Sequence, residues 1–115
     1  MNISIITFTE NGTKLAEKIR QAFVNTKTEE AKNLGLSLSD WTRQQFAEKN
    51  AIVVIGACGI AVRMIAPFVS DKLSDSPVVV ADEAGTFVIP LLSGHMGGAT
   101  VSYTHLRAHE TRRHL

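Results

Sequence analysis

Three observations predict an α/β chain with a mostly parallel sheet and flanking helices. The β-branched runs Ile3–Phe8 and Ala51–Ile55 each lead through a turn into a stretch with helical character. The second run is apolar without interruption, as expected of a strand buried on both faces of a parallel sheet. The third observation is the turn Asp82–Gly85, which joins Val78–Ala81 to Thr86–Ile89. It is far too short for a parallel crossover, so the last strand is expected antiparallel to its predecessor.

The elements follow in order. Ile3–Phe8 is the first strand. Thr9-Glu10-Asn11-Gly12-Thr13 reads as a turn, with Asn11 or Thr13 as the expected helix cap. Lys14 to Asn25 follows as a helix, because Leu15, Ile19, Ala22 and Phe23 share one face. Thr26 to Leu38 is polar, loosely patterned and expected to be loop. Ser39 is the expected cap of a short helix, Asp40–Lys49, that turns Trp41 and Phe46 inward. Gly56-Ala57-Cys58-Gly59 is a tight turn after the second strand, and Ile60–Ala66 is helix until Pro67 ends it. Cys58, directly after a strand, is expected to be a buried small hydrophobe.

The fourth strand runs into Leu91-Leu92-Ser93-Gly94-His95-Met96-Gly97-Gly98-Ala99. Glycines here permit a close backbone approach to a ligand. A helix starting at Gly97 or Gly98 would point free N–H groups and a favourable dipole at an anion. The spacing G-H-M-G-G-A departs from a full dinucleotide fingerprint, so a plain strand-to-helix turn is the competing reading. Because both glycine-rich turns follow strands, Ser93–Ala99 is expected at the carboxyl edge of the sheet, beside Gly56–Gly59.

Composition excludes several classes. At 115 residues, 44% hydrophobic and 20% charged, the chain fits one ordinary globular unit. A net charge of +1 provides no broad basic face for nucleic acid. One cysteine allows no internal disulfide and suits a reducing, cytoplasmic setting. The apolar segment Ala51–Val69 holds Arg63 at its centre, which costs about 2.5–3.5 kcal/mol on membrane-insertion scales, so no membrane span is expected.

Val101–Leu115 differs in character, with Arg107, Arg112, Arg113 and three of the four histidines. Without it, nine basic face ten acidic residues, where the whole chain has 12 against 11. Residues 1–100 are therefore expected to form the α/β domain, and 101–115 a non-native or disordered tail. A native basic helix is the competing reading. Deleting 101–115 is expected to leave the unfolding midpoint unchanged, within about 0.5 kcal/mol. A loss of several kcal/mol in a denaturant titration would show a packed, native tail.

Four ordered blocks resemble the CbiG family of cobalamin biosynthesis. They are Gly59-Ile60-Ala61-Val62-Arg63-Met64-Ile65-Ala66-Pro67, then Asp71-Lys72 with Asp75, then Val78-Val79-Val80 with Asp82-Glu83-Ala84-Gly85, and Leu91 through Ala99. The start, Ile5–Leu15 with Phe8-Thr9 and Gly12, is also similar. The resemblance covers about 99 residues, the amino-terminal and early central parts of that family, and implies a Rossmann-like fold. It departs after the glycine loop, where the family continues with an asparagine and an apolar helix and this chain has Thr100 and the basic tail. The family's further downstream domain is not matched.

The resemblance implies a cobalt-precorrin-5A hydrolase activity of anaerobic vitamin B12 biosynthesis, which opens a lactone on a tetrapyrrole and releases acetaldehyde. Such chemistry needs an activated water, oxyanion stabilisation and a proton donor. His95 and Glu83 are the expected catalytic residues. His95 can serve as base or acid near neutral pH, and a loop histidine bound to backbone is its alternative. For Glu83 the alternative is a solvated turn. Gly59, Arg63, Ser93, Gly94, Gly97 and Gly98 are the expected substrate-binding residues. Arg63 could fork onto a substrate carboxylate, against an exposed helix face as its alternative. Lys72 is a weaker candidate. The expected partner is a small-molecule tetrapyrrole, with a homodimer left open and no nucleic acid or membrane. No cofactor and no metal-ligand cluster are expected, since cobalt arrives with the substrate. The alternative function is a non-catalytic module that binds an anion or nucleotide through the glycine loop at 94–98.

Overall fold

The computed structural model describes residues 2–70 and 75–92. The elements are β1 (Ile3–Thr7), α1 (Glu10–Ala22), β2 (Thr26–Glu30), α2 (Leu38–Ala47), β3 (Ala51–Ile55), α3 (Cys58–Ile65), β4 (Val78–Ala81) and β5 (Val88–Leu92). They form a five-stranded sheet in the order β2-β1-β3-β4-β5, parallel except for the antiparallel β4–β5 pair. The expected α/β class and the antiparallel last strand are both present, in a Rossmann-like arrangement.

Alternation along the strands divides the core in two. On one face, Ile3, Ile5, Ala51, Val53, Ile55, Val79 and Ala81 pack with Leu15, Ala16 and Ile19 of α1. On the other, Ile6, Ile52, Val54, Val78 and Val80 pack with Trp41 of α2 and with Ala61, Met64 and Ile65 of α3. Burial of β3 on both faces explains its unbroken apolar run.

Several expected boundaries are corrected. Thr26–Glu30, expected as loop, is the parallel edge strand β2, whose polar side chains are half-exposed while its backbone pairs with β1. Helix α1 begins at Glu10 rather than Lys14, because the Thr9 hydroxyl accepts the Gly12 N–H and caps it. Helix α2 is capped by Ser37, which accepts from the Asp40 N–H, and not by Ser39. Helix α3 begins at Cys58, so Cys58 and Gly59 lie in its first turn, and Cys58 is exposed rather than buried. Pro67 sits in the short 3₁₀ turn Ala66–Phe68 that follows α3. Strand β5 starts at Val88 and carries Pro90 beside a register shift, which an edge strand tolerates. None of the described helices is long and apolar enough to cross a membrane.

Candidate functional site

Strands β1, β3 and β4 end in register, with Thr7 opposite Ile55 and Ile55 opposite Ala81. The turns that follow them therefore emerge together at the carboxyl edge of the sheet. The β3–α3 turn is tied to β4 by the Gly56 N–H, which donates to the Ala81 carbonyl at 2.9 Å. Two glycines let these turns interlock. A Cβ on Gly12 would lie 3.1 Å from Thr9 Oγ1 and 3.2 Å from Ile55 Cγ2, and one on Gly56 would lie 3.0 Å from the Phe8 ring. Gly12→Val is accordingly expected to cost about 1–3 kcal/mol, the usual range for overpacking, in a urea titration. No loss would mean that the β1–α1 turn shifts freely.

The β4–β5 turn is a built structure. The Gly85 N–H donates to the Asp82 carbonyl at 3.0 Å, and Gly85 adopts φ 74°, a conformation that favours glycine. Asp82 Oδ1 accepts the Phe87 N–H at 2.8 Å, which commits Asp82 to the turn. Glu83 is exposed, and its Oε2 accepts a hydrogen bond from the Thr9 hydroxyl. Glu83 also lines a hollow of about 280 Å³ with Asn11, Lys14 and Lys18 of α1.

Around the same edge, Thr13 Oγ1 lies 2.9 Å from Thr7 Oγ1, 3.0 Å from the Thr9 carbonyl oxygen and 3.3 Å from Glu30 Oε2. A neighbouring hollow of about 120 Å³ is lined by Thr7, Phe8, Thr9, Glu10, Glu30 and Lys32. Sequence reasoning offered Thr13 only as a helix cap and did not single out Glu30. The available signal was Thr7, a polar residue closing a mainly apolar strand.

The remaining expected site residues separate. Gly59 is exposed in the first turn of α3, which no side chain caps, and nothing lies within 4 Å of where its Cβ would be. Arg63 is exposed and lines an apolar hollow of about 230 Å³ with Leu38, Ser39, Ile60 and Met64, between α2 and α3. Arg63 and Glu83 thus line separate hollows, one on each side of the sheet. Ser93, Gly94, His95, Gly97, Gly98 and Lys72 lie outside the described residues.

The glycine loop Ser93–Ala99, expected at the carboxyl edge, lies outside the described residues, and only the strand before it is described. Because β5 runs antiparallel, Leu92 pairs with Val78, the first residue of β4. The chain therefore leaves β5 at the amino edge of the sheet, opposite the edge that carries Glu83 and Gly59. A hollow of about 480 Å³ also opens at the amino edges of β1 and β2, lined by residues such as Ser4, Asn25 and Asn50. Its buried polar groups are satisfied internally: Gln45 Oε1 accepts from Ser4 at 2.7 Å and from Asn50 at 2.8 Å. That pattern is structural and leaves no orphaned group for a ligand. Among the described residues no group of three His, Cys, Asp or Glu is placed to hold a metal ion.

Comparison with known proteins agrees with the sequence resemblance. The family model described as Cobalamin synthesis G N-terminal matches residues 40–109. A cobalt-precorrin-5A hydrolase from Salmonella typhimurium is 41% identical over 105 residues, covering 85% of this chain and 30% of that protein. One from Priestia megaterium is 48% identical over 54 residues, covering 47% of this chain and 14% of that protein. The chain thus spans less than a third of these relatives' lengths. The fold matches the crystal structure of a cobalamin biosynthesis protein G homolog from Sulfolobus solfataricus with a TM-score of 0.70 at 23% identity, over 96% of this chain and 34% of that one. With more than half of its residues matched by the family model, the chain belongs to the Cobalamin synthesis G N-terminal family.

Proposed function

We propose that this chain supplies the amino-terminal α/β part of a cytoplasmic cobalt-precorrin-5A hydrolase. The observation that carries the reading is the 41% identity to the Salmonella relative over most of the chain. The geometry supports it at the carboxyl edge, where ligands of open α/β sheets bind. There Glu83 presents an exposed carboxylate on a rigid turn, and Gly59 leaves room beside the uncapped end of α3.

In the reaction, water adds to the lactone carbonyl and the ring C–O bond breaks. The hydroxyl freed on the two-carbon fragment then gives up its proton as the C–C bond to the macrocycle breaks, the electron pair stays on the macrocycle, and the fragment leaves as acetaldehyde. A carboxylate at Glu83 suits the removal of a proton from the attacking water, and His95 suits proton transfer near neutral pH. The backbone N–H groups of Gly97 and Gly98 are assigned to negative charge on the substrate, with Ser93 and Gly94 beside them. Cobalt enters as part of the substrate.

A chimera tests this reading: residues 1–100 of this chain replace the matching segment of the Salmonella enzyme. Supplied with cobalt-precorrin-5A, it is expected to bind the substrate with a change in visible absorption and to release acetaldehyde. A folded chimera that binds no tetrapyrrole and releases none, beside an active parent, overturns the proposal.

A further inference from the structure

We propose that the outer edge of β2 pairs antiparallel with β2 of a second copy of this chain, giving a two-fold dimer in which the two sheets run on as one. Among the described residues β2 pairs with β1 alone and ends the sheet, so its outer edge is open. An open edge offers a row of backbone donors and acceptors to another chain. The phase of that row follows from β1. The Ile3 N–H donates to the Asn25 carbonyl at 2.9 Å, and Ile3 lies opposite Thr26. In a parallel ladder alternate residues turn both N–H and C=O to the same neighbour, so Lys27 and Glu29 bond to β1. Thr26, Thr28 and Glu30 therefore turn theirs outward.

The side chains select one register. A two-fold axis beside Thr28 sets Thr28 opposite its own copy, Thr26 opposite the second copy's Glu30, and Lys27 opposite the second copy's Glu29. Thr26, Thr28 and Glu30 then exchange backbone hydrogen bonds across the axis. Lys27 and Glu29 fall on the non-hydrogen-bonded positions, where facing Cα atoms approach to about 4.5 Å and side chains come closest. Opposite charges facing there stabilise the strand pair, and like charges oppose it. Both charged pairs lie on the α2 face, since Lys27 stands level with Ser4 and Glu29 with Ile6. There they border the open hollow of about 480 Å³ with Gln44 and Glu48, which leaves room for facing side chains. An axis beside Lys27 would face lysine with lysine, and one beside Glu29 would face glutamate with glutamate. Edge charges commonly guard a strand against pairing. This set does so in the neighbouring registers and not in the one centred on Thr28.

The test is sedimentation equilibrium of the full chain over a concentration series at low salt. A strand pair of this length makes a small interface, so the dimer is expected to be weak and concentration-dependent. Lys27→Glu or Glu29→Lys alone faces like charges twice and is expected to weaken association about tenfold or more. The double exchange, Lys27→Glu with Glu29→Lys, is expected to restore the dimer, and an equimolar mixture of the two single variants to form a heterodimer. Thr28→Pro removes an outward N–H that the monomer does not use, so it is expected to abolish the dimer with the circular dichroism retained. A monomer at every concentration overturns the proposal, as does a dimer that the single charge variants leave unweakened and that is therefore seated on another face. Failure of the double exchange to restore association also overturns it, even if Thr28→Pro fails to fold.

Discussion

Trp41→Ala is expected to destabilise the fold by about 3–5 kcal/mol, the range for emptying a buried aromatic site. Trp41 is 1% exposed and is the largest fully buried side chain in the structure. It projects from the first turns of α2 into the layer formed with Ile6, Ile52, Val54 and Ala61, so it joins α2 to the sheet and to α3. A domain of this size holds only about 5–15 kcal/mol in total. Truncation should therefore remove a large part of the urea midpoint. Trp41→Phe is the informative partner. Among the described residues the indole Nε1–H has no hydrogen-bond partner, and an unsatisfied buried donor costs about 1–3 kcal/mol. Removing it offsets part of the lost volume, so Trp41→Phe is expected to cost under about 1.5 kcal/mol. Equal losses in the two variants would show that the indole N–H, not the ring volume, carries the stability.

The inward placement of Trp41 was legible because helical spacing reports which side of a helix meets the sheet. The strands β1, β3 and β4 were legible for a related reason. Burial on both faces demands apolar side chains at every position, and Ala51–Ile55 satisfies that demand. Strand β2 was not legible because it stands at the edge of the sheet. It contributes backbone hydrogen bonds to β1 through Thr26–Glu30, and those bonds place no demand on side-chain polarity. The caps were misplaced by a few residues for a local reason, since Thr9, Asn11 and Thr13 are all competent acceptors within one turn. The interlock of Gly12 with Ile55 decides among them, and that contact is tertiary.

The candidate site was legible in its parts more than in its assembly. Glu83 could be found from its turn, but its tie to Thr9 spans most of the chain and leaves no pattern in sequence. Cys58 was misread because the position after a buried strand is here the exposed first residue of α3. The glycine loop lies outside the described residues, and what is described is the end of β5 before it. The short Asp82–Gly85 turn implies an antiparallel β5, and an antiparallel strand delivers its end to the amino edge, away from Gly56–Gly59.

His95→Ala, in the chimera with the Salmonella enzyme, is expected to lower turnover by roughly 10²–10⁴, the range for losing a general acid or base. His95 is the only histidine of residues 1–100, so within the segment carried into the chimera no second imidazole is at hand for proton transfer near neutral pH. Arg63→Ala, by contrast, is expected mainly to raise KM, because an exposed guanidinium at the α2–α3 hollow can hold a substrate carboxylate without meeting the reacting bond. Glu83→Gln decides how the edge that carries Glu83 relates to the loop that carries His95. If both groups serve one proton-transfer step, the losses from His95→Ala and Glu83→Gln will be far from additive, as for residues that act as a unit. Additive losses would mean that they serve separate steps, consistent with the opposite edges from which the two segments of chain depart. Full turnover in His95→Ala with weakened binding would make the histidine a positioning residue and leave Glu83 as the base.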